Sequence, residues 1–469
     1  MTTNPTLDPH APADAGPRGP LRDLRARVSG RLHTPEDPDW DVVRTPWRVN
    51  VAQSPLAVLD ARDTHDVVAA LRWAATHEVP VTAQTTGHGA LERDGSSTAD
   101  GALVVRCTGL LDIEVDLDRR SVWVGAGVRA GDLLAALDGS GYTYLAGSNP
   151  SPTVVGMTVT GGLSWFGRAF GSGADSIRTV ELVDGLGRVR RVGPEEAELF
   201  WALRGAGGDF GIVTRLELAL HPAPRLHGGR LVWPVERMPE VLEAFRTVTA
   251  TAPPELTVWF QVLHFPPIPE LPEAIRGRSF TAGSFTHRGD AATAAARLAP
   301  LAAVPGALVR RSEPLSLPEV GTLAEEPTDP TPGMEFARLL THLDADVAEA
   351  LVGQVGTPGR TPLMLLQVRH LGGALRTDGG SAYGPVSDEY LLQAIGVPAV
   401  PELVPAIGGA FAALDASVAG ASSGRVPLAF LGDDSTDRWW SSVTRARLVA
   451  AKAETDPLGI VRSNRPVAG

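Results

Sequence analysis

The sequence predicts an α+β protein of two domains. Its 469 residues suffice for two to three domains, and 43% of them are hydrophobic against 20% charged, as in ordinary globular proteins. Short strand and helix patterns separated by glycines fill residues 30–222, whereas longer strands and helices follow a proline-rich boundary at residues 221–224. Strands mixed with helices in one block indicate an antiparallel sheet with helices on one face.

The composition excludes several classes of protein. A net charge of −12 argues against a nucleic-acid partner, because phosphate contacts require an excess of Lys and Arg. The single cysteine, Cys107, excludes a disulfide framework and a cysteine-rich metal site. Lys452 is the only lysine, so the Gly-Lys pair of a phosphate-binding P-loop is missing. The eleven histidines form no recognisable metal-ligand motif, and we expect no metal.

The N-terminus carries no recognisable targeting segment. Residues 1–20 are rich in Pro, Ala and Asp and lack the apolar stretch of a signal peptide. We expect residues 1–30 to be a disordered lead-in. No window approaches the ~18 consecutive apolar residues that cross a membrane, so the sequence predicts a cytoplasmic protein without membrane contact.

Periodicity places the local elements. In the first block it predicts helices over 63–77, 132–137 and 199–203, strands over 79–83, 102–106, 121–125 and 212–220, and a hairpin over 179–191. In the second block it predicts strands over 258–265 and 363–371, helices over 239–247, 290–299 and 347–355, and a final helix over 437–453.

Three glycine-rich segments hold the candidate binding residues. In the first, Gly87 and Gly89 flank His88 and would let backbone N–H groups approach an anionic group. The second lies in the glycine-dense stretch 147–173, where residues 151–163 alternate small and apolar residues against which a flat ring could lie. The third is residues 205–214. Each also has a purely structural interpretation: a histidine in a tight turn, a glycine-rich loop, or core packing.

In this order the three segments resemble the flavin-linked oxidases of the vanillyl-alcohol oxidase superfamily, closest to the berberine-bridge-enzyme and 6-hydroxynicotine-oxidase-like group. The similarity runs from about residue 40 to 222 and resumes where Asp456-Pro457 and Val461-Arg462-Ser463-Asn464 match the closing motif. It implies a two-domain FAD-binding (PCMH-type) fold. The FAD-binding domain would be split between residues 40–222 and 440–469, and an antiparallel-sheet substrate domain with helices on one face would take residues 223–439.

The resemblance also implies the cofactor and its contacts. His88 aligns with the histidine that bonds covalently to the flavin 8α-methyl carbon in this family. Where relatives carry a cysteine for a second bond, this chain has Ser151, or Asn149 without a gap, so no second cysteinyl link can form. Thr160 replaces a usual glycine. The implied FAD-binding residues are Gln84, Thr85, Thr86, Gly87, His88, Gly89, Ser148, Thr153, Val154, Gly156, Thr160, Gly161, Ile212, Val213 and Asn464.

The catalytic residues are sought near the strand predicted over 363–371. Gln367 shares a face with Leu365 and Arg369, where similar proteins often have a glutamate. Glutamine cannot take a proton, so the base lies elsewhere or the reaction needs none. Tyr144 and Tyr383 are candidates, although a phenol with a pKa near ~10 must be activated to act as base. Packing in the core is the alternative for both.

The resemblance therefore implies an FAD-dependent oxidoreductase that accepts hydride at flavin N5 from a small organic substrate, an alcohol or an amine, with O2 or another electron acceptor. A tailoring step in bacterial secondary metabolism is the first expectation. Two alternatives remain open: a non-redox cyclisation or elimination by an FAD-binding enzyme of the same fold, and a carbohydrate oxidase.

Overall fold

Three main β-sheets organise the chain in the computed structural model, which describes residues 18–432 and 435–468. The first sheet is parallel except for its N-terminal edge strand. In spatial order its strands are Arg31–His33, Ala57–Asp60, Leu103–Arg106, Val81–Ala83 and Val461–Arg462. The C-terminal strand runs parallel to Val81–Ala83. The chain therefore leaves these two strands, at residues 84 and 463, at the same end of the sheet.

The second sheet is antiparallel. In spatial order its strands are Val189–Val192, Ile177–Val183, Ile212–Ala219, Ser121–Gly125 and Ile113–Asp116. The hairpin predicted over residues 179–191 is confirmed by the pairing of Val183 with Val189. Helix Thr64–His77 packs between this sheet and the first, and the Asp63 carboxylate accepts the backbone N–H of Asp66, as the sequence predicted for its N-cap.

The third sheet has seven antiparallel strands. In spatial order they are Val309–Pro314, His227–Pro234, Ser279–His287, Leu256–His264, Leu363–His370, Tyr390–Gly396 and Met334–Leu340. Alternate residues such as Phe260, Val368 and Leu392 pack into a core with helices Met238–Thr249, Ala345–Val355 and Leu403–Val418. The opposite face contributes Trp259 and Leu391 to the core of the first two sheets. The expected antiparallel sheet with helices on one face is confirmed.

Shorter elements complete the described chain. The remaining α-helices are Arg18–Arg27, Trp40–Arg44, Ala130–Leu137, Val154–Val159, Gly167–Phe170, Ala197–Leu203, Ala291–Arg297, Ala299–Ala303, Leu317–Val320 and Ser442–Thr455. Two short antiparallel pairs join Glu92–Arg93 to Ser96–Ser97 and Tyr142–Thr143 to His221–Pro222. None of the helices described is long and apolar enough to cross a bilayer.

The structure corrects three expectations. Residues 1–17 lie outside the described residues, but 18–27 form a helix whose Leu24 is fully buried, so the whole of 1–30 is not a disordered lead-in. The final helix begins at Ser442 and not at 437, because the Ser441 hydroxyl caps it. Helix Leu403–Val418 was not predicted, since its alanines and glycines show little contrast between polar and apolar faces.

Arg168 fastens the third sheet to the rest of the protein. From helix Gly167–Phe170 its guanidinium donates to the carbonyls of Leu256, at 2.9 Å, and of Ala252, at 2.8 Å, and it also contacts the carbonyl of Leu371. Burial lowers the pKa of Arg168 to about 10, which still leaves it charged at neutral pH. This buried cation thus satisfies several backbone acceptors at the junction of the two halves.

Candidate functional site

The first glycine-rich segment forms a tight turn at the edge of the first sheet. Gly87 has a φ of 81°, and a Cβ there would lie 2.6 Å from Pro46, so a larger residue would not fit. The side chains of Gln84 and Gln53 bond to each other at 2.8 and 2.9 Å. The Thr85 hydroxyl accepts the backbone N–H of Cys107 at 3.2 Å. Gln84 and Thr85 therefore stabilise the turn through contacts within the domain.

His88 is held on three sides. Its Nδ1 lies 2.9 Å from the Thr86 hydroxyl, and its Nε2 lies 3.0 Å from the Ser151 hydroxyl. Its ring stacks on Trp47 with the ring centroids 4.4 Å apart. Burial, with the nearby charges of Arg129 and Arg48, lowers the pKa of His88 to about 4. The imidazole is therefore neutral, and one ring nitrogen bears a free lone pair.

The second segment contains a short helix, Val154–Val159, which periodicity had not indicated. Thr153 caps it by accepting the N–H of Gly156 at 3.2 Å. Val154 is fully buried. At the other end the Thr160 hydroxyl donates to the carbonyls of Gly156 and Met157, both at 3.0 Å. Thr160 thus closes the helix with a side-chain contact that glycine would lack.

Tyr383 packs against two of the glycine segments. A Cβ on Gly161 would lie 2.0 Å from its ring, and one on Gly205 would lie 2.4 Å from its Cβ, so both positions require glycine. Tyr383 is buried against Trp439 at 4.6 Å between centroids, and burial raises its pKa. Tyr144 is also buried, donates to the Ala130 carbonyl at 3.3 Å, and has a raised pKa. These surroundings favour the packing interpretation for both tyrosines over a role as base.

The third segment contains a buried glycine with room for one more carbon. A Cβ on Gly207 would lie 3.9 Å from its nearest neighbours, Thr160 and Ser463. The side-chain oxygen of Asn464 accepts the Thr98 hydroxyl at 2.7 Å. Ile212 and Val213 are buried at the start of strand Ile212–Ala219.

A row of three glutamines crosses the third sheet on the face opposite the helices. Gln261 pairs with Gln367, and Gln367 pairs with Gln393, on three adjacent strands. They are 1%, 0% and 6% exposed. The Gln367 Nε2 has no hydrogen-bond partner among the described residues. A buried amide donor without a partner is costly, so this atom is available to a bound molecule.

Arg369 lies beside this row. Its Nε donates to the Gln367 Oε1, and its Nη2 donates to Gln393 at 3.1 Å and to Glu326 at 3.3 Å. Its guanidinium stacks over Trp259 at 4.1 Å from the ring centroid. Burial lowers the pKa of Arg369, and the carboxylates of Glu326 and Glu335 oppose that shift.

Residues 321–333 form a loop, here called the bridging loop, that links the glycine-rich segments to the sheet. The Ser148 hydroxyl donates to the Glu326 carboxylate, 2.9 Å from each oxygen. The Asn149 amide donates to the Pro327 carbonyl at 2.7 Å. The backbone N–H of Thr331 donates to the Trp47 carbonyl at 3.1 Å. The loop thus places a carboxylate between Ser148 and Arg369.

A second carboxylate lies at the other end of the glutamine row. Glu335 pairs with Arg48 at 2.8 Å and accepts the Gln393 amide at 2.6 Å. Sequence reasoning missed Glu326, Glu335, Gln393 and Trp47. Strand pairing brings Gln393 into the row, and no local pattern in the proline-rich bridging loop indicated that Glu326 would reach the sheet.

The structure gathers some predicted residues and separates others. Thr86, His88, Ser148 and Gln367 belong to one connected set of contacts through Ser151, Asn149, the bridging loop and Arg369. Tyr144, Val154 and Ile212 lie in the core. Within the described residues no group of three or more His, Cys, Asp or Glu is placed to bind a metal ion.

The sequence comparisons agree with the first half of this arrangement. A family model described as an FAD binding domain matches residues 55–193. The chain is 28% identical over 208 residues to (R)-6-hydroxynicotine oxidase of Paenarthrobacter nicotinovorans. The aligned segment covers 44% of this chain and 45% of that protein. The chain thus matches less than half the length of this relative.

The structural comparisons extend over the whole chain. BBE-like 1 of Physcomitrella patens superposes with a TM-score of 0.83 at 18% identity, covering 96% of this chain and 99% of that one. 6-Hydroxy-D-nicotine oxidase from Arthrobacter nicotinovorans gives a TM-score of 0.79 at 23% identity, with 93% and 97% covered. The chain therefore contains an FAD-binding domain that is similar in sequence to part of (R)-6-hydroxynicotine oxidase, and its fold is that of the berberine-bridge-enzyme-like proteins.

Proposed function

We propose that this protein is an FAD-dependent oxidoreductase that removes a hydride from a carbon next to an alcohol or amine of a small molecule. One observation carries the proposal. The Glu326 carboxylate contacts Ser148, which lies between the glycine-rich turns, and Arg369, which lies in the polar row of the third sheet. Glu326 thus lies between the residues proposed to bind FAD and the sheet face proposed to bind the substrate. A carboxylate there can accept the proton that an alcohol or amine loses when its hydride is removed.

The described residues fit FAD. Gly207 in the third segment lies beside Thr160 of the second, and a Cβ added there would meet no atom nearer than 3.9 Å. The Gly87 turn excludes any side chain at its tightest point. Neutral His88 offers a ring nitrogen at the same turn. FAD, when bound, supplies a two-electron acceptor for hydride. We assign its binding to the residues named for it above, with Gln84, Thr85 and Asn464 acting through the backbone geometry that their side chains stabilise.

The proposal includes one covalent link, between His88 and FAD. Its support is the neutral state and the fixed orientation of the imidazole. A second link through sulfur is not part of the proposal, because Cys107 is buried and burial raises the pKa of its thiol to about 12. Ser151, the residue that contacts His88, has no sulfur.

The polar row would bind and orient the substrate. Arg369 donates to the Gln367 oxygen, which leaves the Gln367 Nε2 as a donor for the substrate. Gln367 itself cannot accept a proton. Two carboxylates border the row. Glu335 forms an ion pair with Arg48 at 2.8 Å, whereas Glu326 lies 3.3 Å from Arg369 and also contacts Ser148 beside the residues proposed to bind FAD. We therefore assign proton acceptance from the substrate O–H or N–H to Glu326, which replaces the tyrosines as the proposed base.

The first measurement tests whether the purified protein contains FAD and whether that FAD is covalently bound. The purified protein should be yellow, and the colour should stay in the pellet after acid precipitation. A panel of a secondary alcohol, benzylamine, 6-hydroxynicotine, glucose and chito-oligosaccharides is then mixed anaerobically with it, and loss of flavin absorbance is followed. Peroxide formation on admitting air would identify O2 as acceptor. A colourless protein that takes up no FAD would overturn the proposal.

Other outcomes distinguish the alternatives. Bleaching only by the sugars would favour a carbohydrate oxidase. Product formation with unchanged flavin absorbance would favour a non-redox cyclisation or elimination. If a quinone dye restores the flavin absorbance and air does not, the protein is a dehydrogenase. A place in bacterial secondary metabolism remains part of the proposal and is tested by which panel member, or which more complex relative of it, reacts fastest.

A further inference from the structure

A chain of polar side chains runs along the third sheet and fixes the orientation of two glutamine amides. The Arg48 guanidinium donates to the Glu335 carboxylate at 2.8 Å, and Gln393 lies 2.6 Å from the other oxygen of that carboxylate. Arg369 follows Gln393 at 3.1 Å and also contacts Gln367. Each hydrogen bond needs one donor and one acceptor, so both amides can be oriented from partners that have a single role.

Glu335 sets the Gln393 amide. A carboxylate paired with a guanidinium only accepts, so the Gln393 atom that faces it must be the nitrogen. The Gln393 oxygen then faces Arg369, whose guanidinium only donates. A flipped amide would place its oxygen against the carboxylate and its nitrogen against the guanidinium. The two contacts therefore agree on one orientation.

Arg369 sets the Gln367 amide in the same way. Its Nε–H donates to the Gln367 side chain, so the contacting atom must be the oxygen Oε1. The nitrogen is left over, and this Nε2 has no hydrogen-bond partner among the described residues. At Gln367 the glutamine row therefore offers a donor and not an acceptor.

The unpartnered nitrogen is closed off from solvent. Gln367 is 0% exposed, so no hydrogen bond to bulk water replaces the missing one, and such a donor destabilises the ligand-free protein. A ligand reaches it only when the side chains over it move aside. An acceptor that then binds there recovers the cost of the unpaired donor, because no ordered water has to be displaced.

The charges beside the row are already balanced. Arg48 pairs with Glu335 at 2.8 Å, and Arg369 pairs with Glu326 at 3.3 Å. Each of these two cations thus has a carboxylate partner. An anionic ligand at Gln367 would approach both carboxylates and be repelled by them. The acceptor that fits this place is therefore a neutral one.

Apolar side chains lie on both sides of the row. On one side the Trp259 ring lies against the Arg369 guanidinium, 4.1 Å from ring centroid to cation. On the other side Leu365 pairs with Leu263 on one neighbouring strand and with Ile395 on the next. These residues share the face of the row, because side chains two apart along a strand point the same way. A sugar needs partners for several hydroxyls, whereas this face offers the Gln367 donor between apolar side chains.

We infer that the substrate is an apolar alcohol or amine that also bears a neutral hydrogen-bond acceptor, such as a ketone oxygen, and that Gln367 selects it by donating to that acceptor. Arg369 is the positioning residue that holds the amide in this orientation. The inference rests on the proposed function and goes further by naming the group that the substrate carries. From a hydroxyketone the hydride would pass to FAD and the hydroxyl proton to Glu326, which leaves a dicarbonyl product.

The test compares two ligands that differ in the acceptor. 2-Hydroxy-1-phenylethanone has a ketone oxygen where 2-phenylethanol has a methylene group. Each is mixed anaerobically with the FAD-loaded protein, and its dissociation constant is obtained from the concentration dependence of the flavin absorbance change. We expect the hydroxyketone to bind about 10- to 100-fold more tightly, the effect of one hydrogen bond to a buried donor.

Two outcomes would overturn the inference. They are equal affinities for the two ligands and binding of neither. Bleaching by other members of the substrate panel would then leave the proposed function intact, whereas a protein that no alcohol or amine bleaches would contradict the proposed function itself. This comparison uses the wild-type protein and does not depend on the folding of any variant.

Variants assign the preference to its residues. Gln367→Met keeps the length of the side chain and removes the donor, so the ratio of the two dissociation constants should fall by about tenfold or more. The ratio cancels differences between the ligands themselves. Arg369→Lys keeps the charge but loses the planar fork that reaches Gln367 and Gln393 together. The Gln367 amide can then turn, and part of the preference should be lost although Gln367 is unchanged.

A matched control makes the same substitution on the other side of the sheet. Gln354→Met lies on helix Ala345–Val355, which packs on the opposite face, and should keep the wild-type ratio. An unchanged ratio in Gln367→Met would refute recognition by this residue, and an unchanged ratio in Arg369→Lys would refute its positioning role. Melting temperatures of the variants show whether a lost preference reflects a lost fold.

An anion tests the charge of the acceptor. Mandelate carries a carboxylate beside its alcohol carbon and should bind more weakly than 2-hydroxy-1-phenylethanone by about tenfold, because both nearby cations are already paired. Tighter binding of mandelate would overturn the neutral acceptor and identify an anionic substrate instead.

Discussion

The Ser148 hydroxyl lies 2.9 Å from both oxygens of the Glu326 carboxylate, although 178 residues separate the two positions. Glu326 reaches this point because the bridging loop is tied at Pro327 to Asn149 and at Thr331 to Trp47. The same carboxylate pairs with Arg369 on the third sheet. One side chain thus connects the glycine-rich turns to the polar face, and its removal should affect chemistry more than stability.

Glu326→Gln keeps the shape of the side chain and removes its ability to accept a proton. We expect the rate of anaerobic flavin reduction by the most reactive panel compound to fall by about 10²- to 10³-fold. Glu325→Gln is the matched control, because it makes the same change at the neighbouring, largely exposed residue of the loop. A partial recovery in the double variant with Gln367→Glu would show that the sheet can supply the base. An unchanged rate in Glu326→Gln would rule out the assigned role.

Lys452 holds the C-terminal segment to the third glycine-rich segment. Its ammonium donates to the carbonyls of Asp209 and Val461, each at 2.8 Å. It also pairs with the buried carboxylates of Asp209, at 3.4 Å, and Asp456, at 3.1 Å. Lys452→Met would leave two buried carboxylates without their cation, and we expect a loss of about 3–5 kcal/mol in the free energy of unfolding. Urea denaturation measures it. Arg447→Met on the same helix breaks an exposed pair with Glu198 and a contact with the Trp201 ring, 3.7 Å from its centroid, and should cost at most about 1 kcal/mol.

A side chain at position 161 would clash with the ring of Tyr383. The φ of Gly161 is 113°, and a Cβ would lie 2.0 Å from the Tyr383 ring. Gly161→Ala should therefore cost about 2–4 kcal/mol through backbone strain and overpacking, and should lower FAD content. Thermal unfolding and the flavin-to-protein absorbance ratio report the two effects. Gly353→Ala, in an exposed helix position with open space, should instead stabilise slightly.

Two buried histidines predict how stability responds to acid. Burial, with neighbouring arginines, lowers the pKa of His221 to about 4 and that of His370 to about 2. In the unfolded chain both would titrate near ~6.5. Between these values the unfolded state binds protons that the folded state does not, so the free energy of unfolding falls as the pH is lowered from about 6.5 to about 4.

The pH dependence can be assigned with one variant. His221→Asn should reduce the slope of unfolding free energy against pH by up to about 1.4 kcal/mol per pH unit near pH 5. Urea midpoints at half-unit intervals from pH 4.5 to 7.5 provide the slope. His65→Asn, at an exposed position of helix Thr64–His77, should leave the slope as in the wild type. A slope that does not change in His221→Asn would mean that His221 titrates alike in both states.

Local sequence patterns predicted much of the fold. The Asp63 cap, the hairpin with its turn after residue 183, and the strands around Gln261 and Gln367 depend on neighbours within a few residues, and the structure contains each of them. Helix Leu403–Val418 was not predicted, because its faces differ little in polarity. A residue near a motif in the chain can still lie in the core, as Tyr144 and Tyr383 do.

The sequence by itself determined the fold class, the glycine turns and the chemistry available at each position, including a histidine at 88, no sulfur at 151 and an amide instead of a carboxylate at 367. Only the tertiary structure decided which of these residues meet. It brought Glu326 to Ser148 and Arg369, aligned Gln393 with Gln367, and placed Ser151 against His88. Such contacts join segments far apart in the chain, and they form because sheet register and loop closure bring together residues whose local sequence carries no record of the partner.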